Sequence, residues 1–287
     1  MTFSIVAYDP KEQSWGVGVA SKFLAVGALV AWAQADAGAI ATQALMRVSF
    51  GPDGLALLGA GKSAQQTLDI LLANDPNPTP RQVGIVDAKG GSAAHTGPDC
   101  NDWKGHRLGE GFACQGNTLT GLEVLDAMVT TFKSAPGELG DRLLAALLAG
   151  DEAGGDRRGK QAAGLLVVKP GGSYGGTHDR YLDLRVDNHP DPVHQLRELV
   201  DLHHLYFGQT QPEDLIPITQ PIASELQSIM IAEGYIAGEA TGIWDAASKQ
   251  AFWKLVGTEN LEERWQIDGE TDTIDRVALD YLRKQFS

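Results

Sequence analysis

The second residue of the chain is a threonine, and the apolar stretch FSIVA follows it at once. Removal of Met1, which a residue as small as Thr2 permits, would leave one residue carrying a free α-amine and a hydroxyl. The hydroxyl can attack a carbonyl while the amine, directly or through water, takes its proton. Two further residues complete that chemistry. Lys22, in VASKF, supplies a cation, and a cation beside an amine lowers its pKa and favours the basic form. Asn117, in QGN, carries a side-chain amide that can donate to the oxyanion of a tetrahedral intermediate. Each also has a plainer reading. Thr is common at position 2, Lys22 can be a solvated strand end, and Asn after Gly forms turns.

Other groups could bind rather than react. Arg47 follows ATQAL, and Asp156 and Arg157 lie in GGDRRG. The arginines suit bidentate recognition of a substrate carboxylate, and the GGDRRG cluster could instead orient the amine. His95, in AAHTG, is an acid–base candidate or a structural histidine. The seven histidines make no HExxH pattern, and the adjacent His203 and His204 point apart on a helix, so no metal is expected. Cys100 and Cys114 form no CxxC pair and are read as reduced thiols, Cys114 as a buried one. His95 or Cys114 is nonetheless the alternative centre if the chemistry is not at Thr2. The GAGKS stretch lacks the earlier glycine of a phosphate-binding loop, having Ala56 there, and is read as a helix end followed by a helix start at Ser63. No cofactor is expected.

Composition bounds the partners. The 287 residues carry a formal net charge of -14, which argues against nucleic acid and anionic membranes as partners. The N-terminus is not basic and no apolar run reaches the roughly 18 residues of a membrane span. A cytoplasmic protein is expected.

These groups need strands and helices to position them. Residues 3–8 and 15–20 read as strands around a polar turn, and the Val-, Ala- and Gly-rich runs at 25–33 and 39–45 read as further strands of a sheet covered on both faces. Residues 53–58 and 63–72 read as helices, with Ser63 as N-cap, and 82–87 with 92–95 as a hairpin. A strand at 111–118 leads into two helices carried by Leu122, Leu125, Val129 and Phe132, then by Leu139, Leu143 and Leu147. Strands return at 162–168 and 181–186, and a helix runs from Asp191-Pro192 to about residue 206. This order predicts a layered α/β (α+β) domain with two sheets or one thick sandwich. Three prolines in GQTQPEDLIPITQP mark 208–221 as a linker. Three amphipathic helices follow, marked by Ile222, Leu226, Ile229 and Met230, by Ser248, Ala251, Phe252 and Leu255, and by Val277, Tyr281 and Leu282.

The motifs MTFSIVAYDP, WGVGVASKFLAVGA, AIATQAL, GPDGLALL, AAHTG, GEGFACQGN, GDRRGKQAA and YLDLRVDNHPDPVHQLRELVDLH occur in that order. Together they resemble a bacterial family of unknown function, DUF1028, assigned to the N-terminal-nucleophile (Ntn) hydrolase superfamily. The resemblance spans about residues 1–207. It implies a four-layer αββα sandwich and an amide-bond hydrolase. It leaves the substrate open. In RGKQAA, Ala162 stands where the family pattern has Ser. The stretch ELQSIMIAEGYIAGEATGIWDAASKQAFWKLVG resembles a three-helix peptidoglycan-binding module at 222–287, and that resemblance makes Tyr235, Trp244 and Asp245 candidate wall contacts. The expected function is therefore an amidohydrolase acting through an acyl-enzyme on Thr2, on a small-molecule amide or a muropeptide-like substrate. The alternative is a non-catalytic binding protein on the same scaffold. A homo-oligomer is left open.

Overall fold

The computed structural model describes residues 2–208, 210–262, 264 and 272–286, and divides into two compact units, 1–200 and 201–287. Unit 1 opens with strands β1 (Thr2–Asp9) and β2 (Ser14–Ser21), a single helical turn α1 (Gly27–Val30), and strands β3 (Ala31–Gln34) and β4 (Gly38–Ala44). Helices α2 (Phe50–Gly59) and α3 (Ala64–Ala73) precede β5 (Arg81–Asp87), β6 (Ser92–Thr96), β7 (Gly105–Gly109) and β8 (Phe112–Asn117). Then come α4 (Glu123–Ser134), α5 (Leu139–Glu152), β9 (Ala162–Val168), β10 (Arg180–Val186) and α6 (Pro192–Phe207). The division between the units falls within α6.

The strands form two antiparallel sheets, one of six strands in the order β10-β9-β2-β1-β8-β7 and one of four in the order β3-β4-β5-β6. Alternation along β1 shows how they stack. Phe3, Ile5 and Ala7 join a core with Leu125, Met128 and Phe132 of α4 and Leu143 and Leu147 of α5. Val6 faces the other way, into a core with Val17, Val19, Ala39, Ala41, Val86 and Ala113 drawn from both sheets. The outer face of the four-stranded sheet, through Ile40, Val83 and Ile85, packs on Phe50, Leu55 and Leu58 of α2 and Leu68 and Leu71 of α3. A strand buried on both faces has to be apolar on both, which is why β1 and β2 read as continuous runs rather than alternating ones. Gly16 lets α5 approach β2, since a Cβ there would lie 2.6 Å from a Leu143 methyl.

Several expectations are corrected. The run 25–33 is not one strand. Val26 is in the αR region and Gly27–Val30 is helical, with Val26 and Val30 buried, before the chain extends at Ala31. Apolar content without a turn former gave no sign of that break. Leu122 stands before α4 and Val277 on the outer face of the last helix, both exposed. Ser63 does cap α3, in a capping box with Gln66.

In unit 2, β11 (Leu215–Pro217) lies within the segment expected as linker. It pairs antiparallel with β12 (Thr273–Asp275). Helices α7 (Gln220–Ala232), α8 (Ala246–Thr258) and α9 (Arg276–Gln285) enclose Leu226, Met230, Phe252, Leu255, Leu279 and Leu282. Among the described residues, no helix is long and apolar enough to cross a membrane.

Candidate functional site

The inter-sheet layer is apolar at one end and polar at the other. Following β1 from Val6 back to its start, the residues on this face become Ser4 and then Thr2. Neighbouring strands change in step, bringing in Ser21 of β2, Gln43 of β4, Gln82 of β5, and Gln115 and Asn117 of β8. All seven of these polar residues are buried, at 5% exposure or less. A polar group buried without a partner is costly, so such a layer persists only where its members bond one another.

They do. Thr2 Oγ1 and Ser21 Oγ share a hydrogen bond of 3.1 Å. Gln115 Nε2 donates to Ser4 Oγ at 2.7 Å, and Ser4 Oγ donates to Gln43 Oε1 at 2.7 Å. Gln43 Nε2 donates to Gln82 Oε1 at 2.9 Å and to the Thr2 carbonyl at 3.3 Å. Gln82 Oε1 also accepts from Asn117 Nδ2 at 2.9 Å, while Gln82 Nε2 donates to the Gly116 carbonyl at 2.8 Å. The register sets Thr2 directly opposite Asn117. One neutral network thus holds the Thr2 carbonyl, the Asn117 amide and the strands between them.

The network requires Gly84. A Cβ there would lie 2.0 Å from Gln115 Oε1. Gln115 is fully buried and tied to Ser4, so it cannot swing aside. Gly84→Ala should therefore cost about 1–3 kcal/mol as an overpacking substitution, measured as a lowered urea midpoint with an unchanged m-value.

The backbone turns sharply beside the network. Ala44 and Thr118, which directly follow Gln43 and Asn117, have φ of +68° and +51°. A β-branched residue in the left-handed region is strained, and such strain concentrates at functional sites. The Thr118 N–H is held by the Asn101 carbonyl at 2.8 Å, and its carbonyl accepts from the Arg157 N–H at 3.4 Å. A cavity of about 340 Å³ opens at this end, lined by Ala44, Leu45, Pro80, Asp99, Cys100, Asn101 and Asn117.

The structure brings Thr2 and Asn117 together. It places the other candidate residues as follows. Lys22 is exposed; its backbone N–H donates to Asp156 Oδ2 at 2.8 Å and its ammonium to the Lys160 carbonyl at 3.3 Å. Asp156 is buried and also accepts from the Arg158 N–H and guanidinium, at 2.8 and 3.2 Å. It therefore ties the turn after Ser21 to the loop after α5. Arg157 is exposed on that loop. Arg47 pairs with Asp75 at 3.3 Å and stands over the Phe50 ring at 5.6 Å. His95 bonds the Pro78 carbonyl at 3.2 Å. Cys114 is fully buried in the core under α4, and burial pushes its thiol far above the ordinary range, away from nucleophilic chemistry. Asp151, Asp191 and His194 could together face a cation, but the Lys160 ammonium already bonds both carboxylates.

Asp75 braces the strand end that carries Gln82. Its carboxylate accepts from Arg81 Nε at 2.7 Å and from the Asn77 N–H at 3.1 Å. Arg81 also bonds the Leu45 carbonyl. The Arg81 hydrogen bond holds the Asp75 carboxyl below the usual carboxylate range, against the opposing push of burial. A depressed carboxyl contributes stability above its unfolded pKa of about 3.9, and loses it as the pH falls through the folded value. Asp75→Asn should lower stability at pH 7 by about 3 kcal/mol and flatten the acid limb of the stability curve below about pH 4, as read by urea unfolding across pH.

In unit 2 the named contacts serve the fold. Trp244 meets the Phe252 ring edge-on at 5.5 Å, and Tyr235 packs against the same core. Asp245 caps α8, accepting from the Ser248 N–H and hydroxyl at 2.9 Å each. Buried Gln227 holds the loop between α7 and α8, donating to the Ile243 carbonyl and accepting from the Gly242 N–H, both at 2.8 Å.

Ser21, Gln43, Gln82 and Gln115 were not among the residues singled out from the sequence. The signal was there: single glutamines in or at the start of the mainly small and apolar runs AIATQAL, QVGIV and FACQGN.

Comparison with known proteins agrees with this division. Residues 2–196 match the family described as "Family of unknown function (DUF1028)", and residues 206–282 match the "Putative peptidoglycan binding domain" family. No curated protein matches the chain. Among solved structures it is similar to the crystal structure of protein SPO2555 from Silicibacter pomeroyi, a DUF1028 protein. The two share 31% sequence identity at a TM-score of 0.65, over 71% of this chain and 89% of that one. On the match over residues 2–196, this chain belongs to the DUF1028 family.

Proposed function

We propose that unit 1 is an N-terminal-nucleophile amide hydrolase on an αββα sandwich, with Thr2 as nucleophile once Met1 is removed. The observation that carries this reading is the buried Thr2 hydroxyl at the polar end of the inter-sheet layer, 3.1 Å from Ser21 Oγ and opposite Asn117. The stacking of helices, sheet, sheet and helices also supports it.

The Thr2 α-amine takes the proton of the Thr2 hydroxyl as its oxygen bonds the amide carbonyl carbon. The carbonyl oxygen becomes an oxyanion. Asn117 has two amide hydrogens, and one goes to Gln82, so the other can meet that charge. The carbon–nitrogen bond then breaks, and the leaving amine takes the proton from the α-ammonium. The ester left on Thr2 is attacked by water, which passes a proton to the amine and releases the acid. Ser21 orients the Thr2 oxygen. Lys22 acts through its backbone, which Asp156 fixes. Arg157 stands at the rim as a contact for a substrate carboxylate, while Arg47 and His95 brace the surrounding loops.

For unit 2 the family match supports a peptidoglycan-like ligand, with Tyr235, Trp244 and Asp245 on the loops that would meet it. The test is an amide-hydrolysis screen on Met1-free protein beside its Thr2→Ala variant. Equal turnover by the two removes the mechanism and leaves a binding protein.

A further inference from the structure

Among its described residues, unit 1 exposes seven large apolar side chains, and five of them stand on segments leaving the strand ends that carry the site. Phe23 and Leu24 follow Ser21, Leu45 and Val48 follow Gln43, and Leu122 follows Asn117. Leu45 is 63% exposed and Leu24 59%. The turns at the opposite end of the sheets carry the other two, Leu108 beside the β7–β8 turn and Tyr174 between β9 and β10, while PKEQ after β1, ADA after β3 and AKGG after β5 contribute none. Scattered apolar side chains on a surface need no explanation, but ones gathered around a single site do.

Two further observations bear on what they meet. The cavity beside Asn117 has Ala44, Leu45 and Pro80 on its wall, so one exposed leucine reaches from the rim to the partner of Thr2. The cations nearest this end are largely engaged. Arg47 and Arg81 share Asp75, Arg158 bonds Asp156, and Lys160 bonds Asp151 and Asp191. Arg157 stays exposed on its loop and is not part of the cavity wall, so an acid head on the acyl group would find no cation among the lining residues, whereas a hydrocarbon chain would find Ala44, Leu45 and Pro80.

We infer that the amide cleaved at this site carries an aliphatic acyl group, seated in the cavity beside Asn117 against the apolar wall of Ala44, Leu45 and Pro80. The inference rests on Thr2 being the nucleophile. The acyl carbon bonds to Thr2 Oγ1, the amine departs with the hydroxyl proton, and water returns the fatty acid.

The experiment uses the Met1-free full chain and the para-nitroanilides of acetic, butyric, octanoic and glutaric acids. It reads para-nitroaniline release and the mass of acyl-Thr2. The expected kcat/KM rises roughly 4-fold per added methylene until the cavity is full, and the glutaryl compound falls below the butyryl one. Leu45→Ser should cut the octanoyl-to-acetyl ratio about tenfold, and an exposed leucine is a safe site for that change. A flat chain-length profile, or a glutaryl preference, with turnover still dependent on Thr2, overturns the acyl assignment and leaves the nucleophile standing. Absence of both turnover and acyl-Thr2 with every compound overturns the two together. A dimer in sedimentation that Leu45→Ser dissociates assigns the apolar rim to a second copy of the chain and also overturns the inference.

Discussion

Thr2→Ala in protein freed of Met1 loses roughly 10⁴-fold or more of its amide hydrolysis, and the same loss follows when Met1 is retained. The size follows from what is removed. In the proposed mechanism Thr2 supplies the attacking oxygen and the base, so the alanine variant keeps the amine with no hydroxyl to deprotonate, and retained Met1 keeps the hydroxyl with no free amine beside it. The two lesions act on one unit and should not multiply. The fold should tolerate the alanine. The Thr2 carbonyl remains bonded to Gln43, while the hydroxyl's bond to Ser21 is lost. Intact mass separates the cases. Wild-type protein without Met1 gains the acyl mass during turnover and neither lesion does. An alanine variant that turns over at the wild-type rate moves the chemistry elsewhere.

Arg264→Ala should cost unit 2 roughly 3–5 kcal/mol, the range for stripping one partner from a buried ion pair. Arg264 Nε meets Asp275 Oδ1 at 3.1 Å, with the two side chains at 7% and 0% exposure. The same guanidinium donates to the His204 carbonyl at 2.7 Å and the Leu205 carbonyl at 3.3 Å, in the last turn of α6. Asp275 also caps α9 through the Ala278 N–H at 3.0 Å. Truncation leaves a buried carboxylate without its counter-charge and helix-end carbonyls without a donor. A small domain has only about 5 kcal/mol or somewhat more to lose, so unit 2 should be largely unfolded at 37 °C. Calorimetry of the full chain should show an early transition lost or shifted down by more than about 10 °C, with the transition of unit 1 in place. A single unshifted transition would show that the pair contributes little.

Much of the layered fold could be read from residues. The two-faced apolar runs of β1 and β2, the hairpin around Lys89-Gly90-Gly91 and the Ser63 cap each have a local cause that survives tertiary packing. The helical turn at Gly27–Val30 does not, because VGALV is apolar in either conformation and only contact with both sheets decides it. β11 was hidden for a related reason. A three-residue strand beside two prolines has no pattern of its own, and its partner β12 lies far along the chain. Thr2 and Asn117 were singled out from the sequence, and their register across β1 and β8 sets them opposite one another. Ser21 was not, since a serine at a strand end is ordinary until its hydroxyl is seen against another. The glutamines were the clearest missed sign, as each is a fully buried carboxamide in a strand otherwise dominated by small and apolar residues.

The support under Thr2 is built from carboxamides and hydroxyls, none of which gains or loses a proton between acid and alkali. His106, whose Nδ1 lies 2.9 Å from Thr96 Oγ1 at the margin, is kept uncharged near neutrality by burial, with His95 and Arg107 adding to the effect. The network itself therefore keeps one charge state while, in the proposed mechanism, the terminal amine titrates. Above the acid range in which Asp75 lets go of Arg81, a change of rate with acidity would be read against carboxamides and hydroxyls that do not change.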